Sequence, residues 1–244
     1  MLQDIMKKLV PTYTCDLKIS KKKITFRPLA VKEEKYISQI NELSESFSEQ
    51  LSCLSDLVDS CCNNKINSKE LSIYDFQTLL MEIRKKSISE TSQMQIKCPY
   101  TEEPVIVNMD FNNQSTKNRV EKKQKLELIL NNNIKIKLKL PTIANLIETN
   151  VDYTTDDDLI KLLPFCLLEI EYESKTVDLS METNESKLEI LEVLNRDDYK
   201  KIKSIVTEGF FNLKLEYKTS DGTNRKVVVS DFVNFLKFFL VTLT

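Results

Sequence analysis

Between residues 126 and 140 the chain alternates, and this alternation constrains the fold more than any other feature. Leu126, Leu128 and Leu130 share one parity; after Asn131-Asn132-Asn133 the alternation resumes with Ile134, Ile136, Leu138 and Leu140, interleaved with Lys135, Lys137 and Lys139. A period of two sends successive side chains to opposite faces of an extended backbone, whereas a helix would scatter them around its axis. The segment therefore reads as two β-strands with one buried face and one wet face that carries the three lysines.

Other segments switch to a helical period. From Val31 to about Cys62, Ile37, Ile40, Leu43, Phe47, Leu51, Leu54, Leu57 and Val58 recur every three or four residues, with Glu33, Glu34 and Glu42 toward the start. One long helix, or two that break in the serine-rich stretch Ser44 to Ser52, fits this pattern equally. Ser72 and Asp75 have capping-box spacing before Ile73, Phe76, Leu79, Leu80 and Ile83, and Arg84-Lys85-Lys86 complement the end of that helix. Shorter helices are expected around Ile143 to Ile147, from a Thr155/Asp158 cap to about Leu163, around Leu188 to Leu194, around Tyr199 to Val206, and in a tail helix that carries Phe232, Phe235, Leu236, Phe238, Phe239 and Leu240. That much aromatic surface belongs in a core or against another protein.

Further strands are expected in an N-terminal hairpin from Tyr13 to Arg27, turning at Ser20-Lys21-Lys22-Lys23. Strands at Met94–Cys98 and Val105–Met109, and a C-terminal hairpin turning at Ser220-Asp221-Gly222, complete the set. The apolar run after Pro164 fits a helix extension or a hairpin. The fold class is α+β: an N-terminal β-hairpin and long helix, central antiparallel strands, and a C-terminal helix–hairpin–helix region. Glu148-Thr149-Asn150-Val151-Asp152 resembles a linker. The expected division is residues 1–150 and 151–244, with one undivided domain as the alternative.

Composition excludes several chemistries. Among 244 residues there are no histidines, no tryptophans and only 2 glycines. A Ser-His-Asp triad, a Cys-His dyad, a histidine-ligated metal and a glycine-rich phosphate cradle are beyond this alphabet. No enzyme activity, cofactor or metal is expected. Asp156-Asp157-Asp158 lie at a helix start, where consecutive side chains diverge. The 6 cysteines, including the adjacent pair Cys61-Cys62, are read as free thiols of a reducing compartment. Met1 to Lys8 do not resemble an export peptide, and Asp231, Asn234 and Lys237 interrupt the most apolar run, Val227 to Leu243, so no membrane span is expected. With 35 Lys+Arg against 37 Asp+Glu the net charge is −2, which gives no strong pull toward nucleic acid.

Three stretches, in order, carry a resemblance. They are Lys23-Ile24-Thr25-Phe26-Arg27-Pro28-Leu29-Ala30-Val31-Lys32-Glu33-Glu34-Lys35; then Tyr74-Asp75-Phe76 with Glu82-Ile83-Arg84-Lys85-Lys86-Ser87 and Ile96-Lys97-Cys98-Pro99; and the C-terminal series with Asp231-Phe232 and Phe238-Phe239. They resemble the baseplate hub subunit and hub-assembly family of T4-like contractile-tailed bacteriophages, whose members open with F-R-P-F-x-x-K-E-E-K and carry L-R-x-x-S before C-P-x-C. The chain departs from that pattern at Leu29, where an aromatic is usual, and near Thr101, where the second thiol would fall, so Cys98 stands alone and a zinc knuckle is not built.

The resemblance implies a non-enzymatic structural or assembly protein of a contractile tail, made in the host cytoplasm and contacting other baseplate hub or tail proteins. Permanent residence in the virion and departure as a transient chaperone are its two forms. The residues it offers to partners are Arg27, Lys32, Glu33, Glu34, Lys35, Phe232, Phe235 and Phe239. Arg27 is also placed to pair with Glu33 or Glu34 and so fix the angle between strand and helix. Nucleic-acid binding through Lys135, Lys137, Lys139 and the loop from Lys117 to Lys125 is the alternative function; it lacks an aromatic stacking platform.

Overall fold

The computed structural model describes residues 10–33, 35, 37, 46–112, 126–150, 156–208, 213–229, 232, 235, 236 and 239. Strands β1 (Tyr13–Asp16) and β2 (Lys23–Phe26) pair antiparallel, Cys15 opposite Ile24. Cys15, Ile24 and Phe26 face inward while their neighbours face out, as the alternation requires. The chain turns between the strands with Lys21 in the left-handed region, and Leu17 N–H donates to Lys22 C=O at 2.8 Å.

Residues 31–33, 35 and 37 are helical. A new helix, α1 (Phe47–Cys61), starts after Ser46, whose extended backbone (φ −132, ψ 155) and side chain cap it by accepting from Glu49 N–H. The break thus falls in the serine-rich stretch. Serine caps a helix better than it continues one, because its hydroxyl competes for backbone groups.

Helix α2 (Ile73–Ser87) starts at the expected cap, with Ser72 accepting from Asp75 N–H. It is buried along most of its length: Ile73, Tyr74, Phe76, Leu79, Leu80 and Ile83 all lie inside. The Asp75 carboxylate, also buried, accepts from the backbone N–H groups of Ile19 (3.0 Å) and Ser20 (2.8 Å) in the hairpin turn. One side chain therefore fastens the hairpin to the helix. Arg84 is buried too, its guanidinium 4.1 Å from the centre of the Phe111 ring, and burial lowers its pKa to about 10. Lys85 and Lys86 pair with Glu82 and Glu90, so the basic run at this helix end is internally satisfied.

Strands β3 (Thr91–Lys97) and β4 (Pro104–Asp110) form a ribbon. Strands β5 (Glu127–Ile129) and β6 (Lys135–Leu138) realise the defining alternation, joined by a 3-10 turn at Asn131–Asn133 that puts Asn133 in the left-handed region. Helix α3 (Ile143–Thr149) begins in a full capping box made by Thr142 and Asn145 and ends at left-handed Asn150. An isolated antiparallel bridge between Ser72 and Thr142 joins the two helix starts. Helix α4 (Asp156–Leu162) and a 3-10 turn at Leu163–Cys166 follow; the expected cap at Thr155 lies outside the described residues.

Beyond Pro164 the apolar run becomes β7 (Leu167–Tyr172), paired on one side with β6 and on the other with β8 (Lys175–Asp178), giving an antiparallel sheet ordered β5-β6-β7-β8. Its strands come from both sides of Asn150. The β7–β8 turn uses Glu173 and Ser174, both left-handed. A two-residue hairpin normally recruits Asn-Gly there, which is why the sequence signal is mixed. Helices α5 (Asn184–Glu192) and α6 (Arg196–Glu208) precede a second ribbon, β9 (Leu213–Lys218) and β10 (Asn224–Val229), turned at Gly222 with φ +85. Strand β4 lies against β9.

The tail residues Phe232, Phe235, Leu236 and Phe239 are helical and buried. Phe232 meets Phe47 and Phe76 edge-on at 6.2 and 6.4 Å and stacks near Phe235 at 6.3 Å. Of the two places open to this aromatic surface, the core and a partner, these residues occupy the core. Phe232, Phe235 and Phe239 present no free face within this chain.

Candidate docking corner

The corner forms where β2 ends. Phe26 is buried, Pro28 cannot continue the ladder, and the chain enters the helical turn at 31–33. Arg27 N–H donates to Cys61 C=O at 2.9 Å, which brings the strand end to the C-terminus of α1. The Arg27 guanidinium then grips Glu33 with both forks, 2.7 Å to Oε1 and 3.0 Å to Oε2, and also reaches the Pro28 carbonyl (2.9 Å) and the Ser60 hydroxyl (3.1 Å). Glu33 accepts in addition from Ala30 N–H at 2.6 Å and the Ser60 hydroxyl at 3.2 Å. Leu29 N–H donates to Ser87 Oγ at 2.9 Å, which adds the end of α2. Three elements thus meet on one ion pair whose side chains are 14% and 7% exposed.

Burial pushes the Glu33 carboxyl up, but the Arg27 fork, the Ala30 amide and Ser60 together outweigh it and hold Glu33 below the ordinary carboxylate value. Of the two acids offered to Arg27 by the sequence, Glu33 takes the pair; Glu34 lies outside the described residues. Arg27 and Glu33 are consequently committed inside the chain. Lys32 and Lys35 remain on the surface, and Lys32 comes only within 3.7 Å of Glu33.

Around this corner runs a groove of about 960 Å³. Its walls are Val10 and Pro11 on one side, Pro28 to Ala30 on the other, and Asn63 and Lys65 at the foot of α1. Asn63 and Asn64 both take left-handed backbone, which asparagine tolerates better than most residues. The paired asparagines after Cys62 mark a helix stop in the sequence; their part in the groove arises only when residues 10–12 and 28–30 are folded against them.

The other candidate chemistries resolve differently. Lys135 and Lys137 do lie on the wet sheet face, but each is neutralised across the strand pair, by Glu171 at 2.8 Å and Glu169 at 2.7 Å. At these two positions the lysine face offered to nucleic acid alternates in charge with β7, which only the β6–β7 register reveals, while Lys139 makes no ion pair among the described residues. The loop 117–125 lies outside the described residues. Cys61 and Cys62 are buried free thiols whose pKa values burial pushes up to about 11 and about 12, so they stay protonated and unreactive near neutrality. Cys98, also buried, touches Tyr217 OH at 3.3 Å. Among the described residues no group of His, Cys, Asp or Glu is arranged to hold a metal ion, and no helix is long and apolar enough to cross a membrane.

A family model described as T4 bacteriophage base plate protein matches residues 10–237 of the chain. No curated protein and no solved structure matches it.

Proposed function

The chain belongs to the T4 bacteriophage base plate protein family, and from that premise we propose that it serves in the baseplate hub or in its assembly, through protein–protein contact and without catalysis. One observation carries the choice of surface. The residues of the opening signature build a corner whose central ion pair is satisfied internally, while the groove beside it keeps apolar walls and has Lys32 in its lining, with Lys35 exposed on the helical segment that follows. A preorganised apolar groove with charge at its edge is the anatomy of a docking surface: the middle supplies affinity and the rim supplies orientation and rate. Arg27 and Glu33 are positioning residues here, and Lys32 and Lys35 meet the partner.

The test is co-expression of the chain with the other hub and tail proteins of its phage, followed by size-exclusion chromatography. Co-elution is expected, with the Lys32→Glu/Lys35→Glu variant retaining its fold and losing roughly tenfold in affinity. Elution as a lone monomer in every combination, with tails assembling normally when the gene is disrupted, overturns the proposal. Mass spectrometry of purified particles separates a resident baseplate subunit from a chaperone that acts in the host cytoplasm and departs.

A further inference from the structure

A second depression, of about 720 Å³, lies on the other side of the Asn63–Asn67 loop from the corner groove and shares Lys65 with it. The β1–β2 turn forms one wall, the start of α2 another, and Lys139 and Leu140 the third. Its charge is lopsided. Lys22, Lys23, Lys65 and Lys139 line it, all exposed, and none makes an ion pair among the described residues. Several other surface lysines do find carboxylates: Lys97 pairs with Glu102, Lys201 with Asp198, Lys226 with Glu216, and the two wet-face lysines of β6 with β7.

Two acids, Glu70 and Asp75, also line the depression, and against the four lysines they leave its lining net positive. Asp75 is buried and spends its oxygens on the amides of Ile19 and Ser20. Glu70 accepts from the Asn67 side chain at 3.1 Å. The Ser20 hydroxyl oxygen, which also lines the depression, is buried without a hydrogen-bond partner. The floor is aliphatic, with Ile24, Leu71 and Leu140 all nearly covered. Four ammonium groups against two carboxylates, around a concave aliphatic floor, leave a net positive potential at its mouth.

We propose that this depression receives an acidic segment of a neighbouring tail protein, one that sets Asp or Glu side chains against Lys22, Lys23, Lys65 and Lys139 and an aliphatic side chain on the floor. This rests on the baseplate proposal above and names the chemistry of the partner. An aliphatic floor fits a peptide side chain. Nucleic acid is the less suited occupant, because no aromatic ring among the described residues lines the depression for a base to stack on.

The experiment acetylates lysines with an amine-reactive ester in the free chain and in the complex with co-expressed tail proteins, then maps modification by mass spectrometry. The four lysines are expected to be protected about tenfold or more in the complex, and a carbodiimide is expected to join them to carboxylates of a tail protein. A Lys22→Glu/Lys23→Glu/Lys139→Glu variant should weaken the complex about 100-fold while the matching Lys→Arg variant retains it. Should the complex form with these lysines as reactive as in the free chain, the inference fails and the baseplate proposal stands. A failure of any complex to form overturns both. Protection abolished by nuclease overturns it in favour of nucleic acid.

Discussion

Replacing Arg27 by Met keeps the aliphatic stem and removes the charge. Glu33, 6% exposed in the native chain, would then keep the Ala30 amide, the Ser60 hydroxyl and the more distant ammonium of Lys32 at 3.7 Å. Stranding one partner of a buried ion pair costs about 3–5 kcal/mol. The corner borders an open groove, from which water can partly resolvate the carboxylate, so the low end, about 3 kcal/mol, is expected. For a chain of this size that corresponds to a fall in Tm of about 6–12 °C.

Urea unfolding followed by circular dichroism, with an unchanged slope, measures the loss. The Glu33→Gln single variant and the double variant complete a cycle whose coupling should be about 2 kcal/mol. pH supplies an independent check. The folded pKa of Glu33 is depressed, so its contribution is fully present above the unfolded carboxylate value, about 4.3, and is lost as pH falls through the folded one. The gap between wild type and Arg27→Met should therefore shrink on acidification from pH 6. A gap below about 0.5 kcal/mol at pH 7, or a coupling indistinguishable from zero, would refute the account of the corner.

Phe232→Ala should destabilise the fold by about 3–5 kcal/mol in the same urea assay, because the ring is buried between Phe47, Phe76 and Phe235. Lys137→Ala, which removes an exposed cross-strand pair, should leave the urea midpoint close to that of wild type, and a gel shift at low salt should be the same for it as for wild type. For the Cys98 thiol, burial raises the pKa, but hydrogen bonds from Thr101, Tyr217 and the local backbone bring it to about 7. The ultraviolet thiolate absorbance that Cys98→Ser removes should rise with a midpoint near pH 7, and Tyr217→Phe should move that midpoint upward.

Local pattern made much of this fold legible. The strands of residues 126–140 and the Ser72 cap each depend on residues near one another in the chain, where periodicity and capping chemistry operate, whereas the break at Ser46 is one of two equal readings of the sequence, and the fold decides between them. What escaped depends on distant pairs. Asp75 has the spacing of a capping-box residue, yet its carboxylate holds the turn at Ile19 and Ser20. Lys135 and Lys137 look like a cationic stripe until β7 brings Glu171 and Glu169 alongside. At the corner, pairing of Arg27 with Glu33 or Glu34 is legible from the spacing, but the contributions of Ser60 and Ser87 are not, since a serine near a helix end has many uses. The tail phenylalanines show the limit most clearly. Amphipathic spacing says that a face must be covered, and only tertiary structure says by what.

The order β5-β6-β7-β8 has a consequence for synthesis on the ribosome. Once Leu138 has left the ribosome, β6 can pair with β5 on one flank only, and its other flank stays bare until Leu167 to Tyr172 have emerged as well. A nascent chain stalled anywhere in that interval shows neighbouring polypeptides an open seam. The lysines of β6 then have Glu127 of β5 alongside but not yet Glu169 and Glu171, and the net positive charge left on the seam opposes its pairing with a second copy.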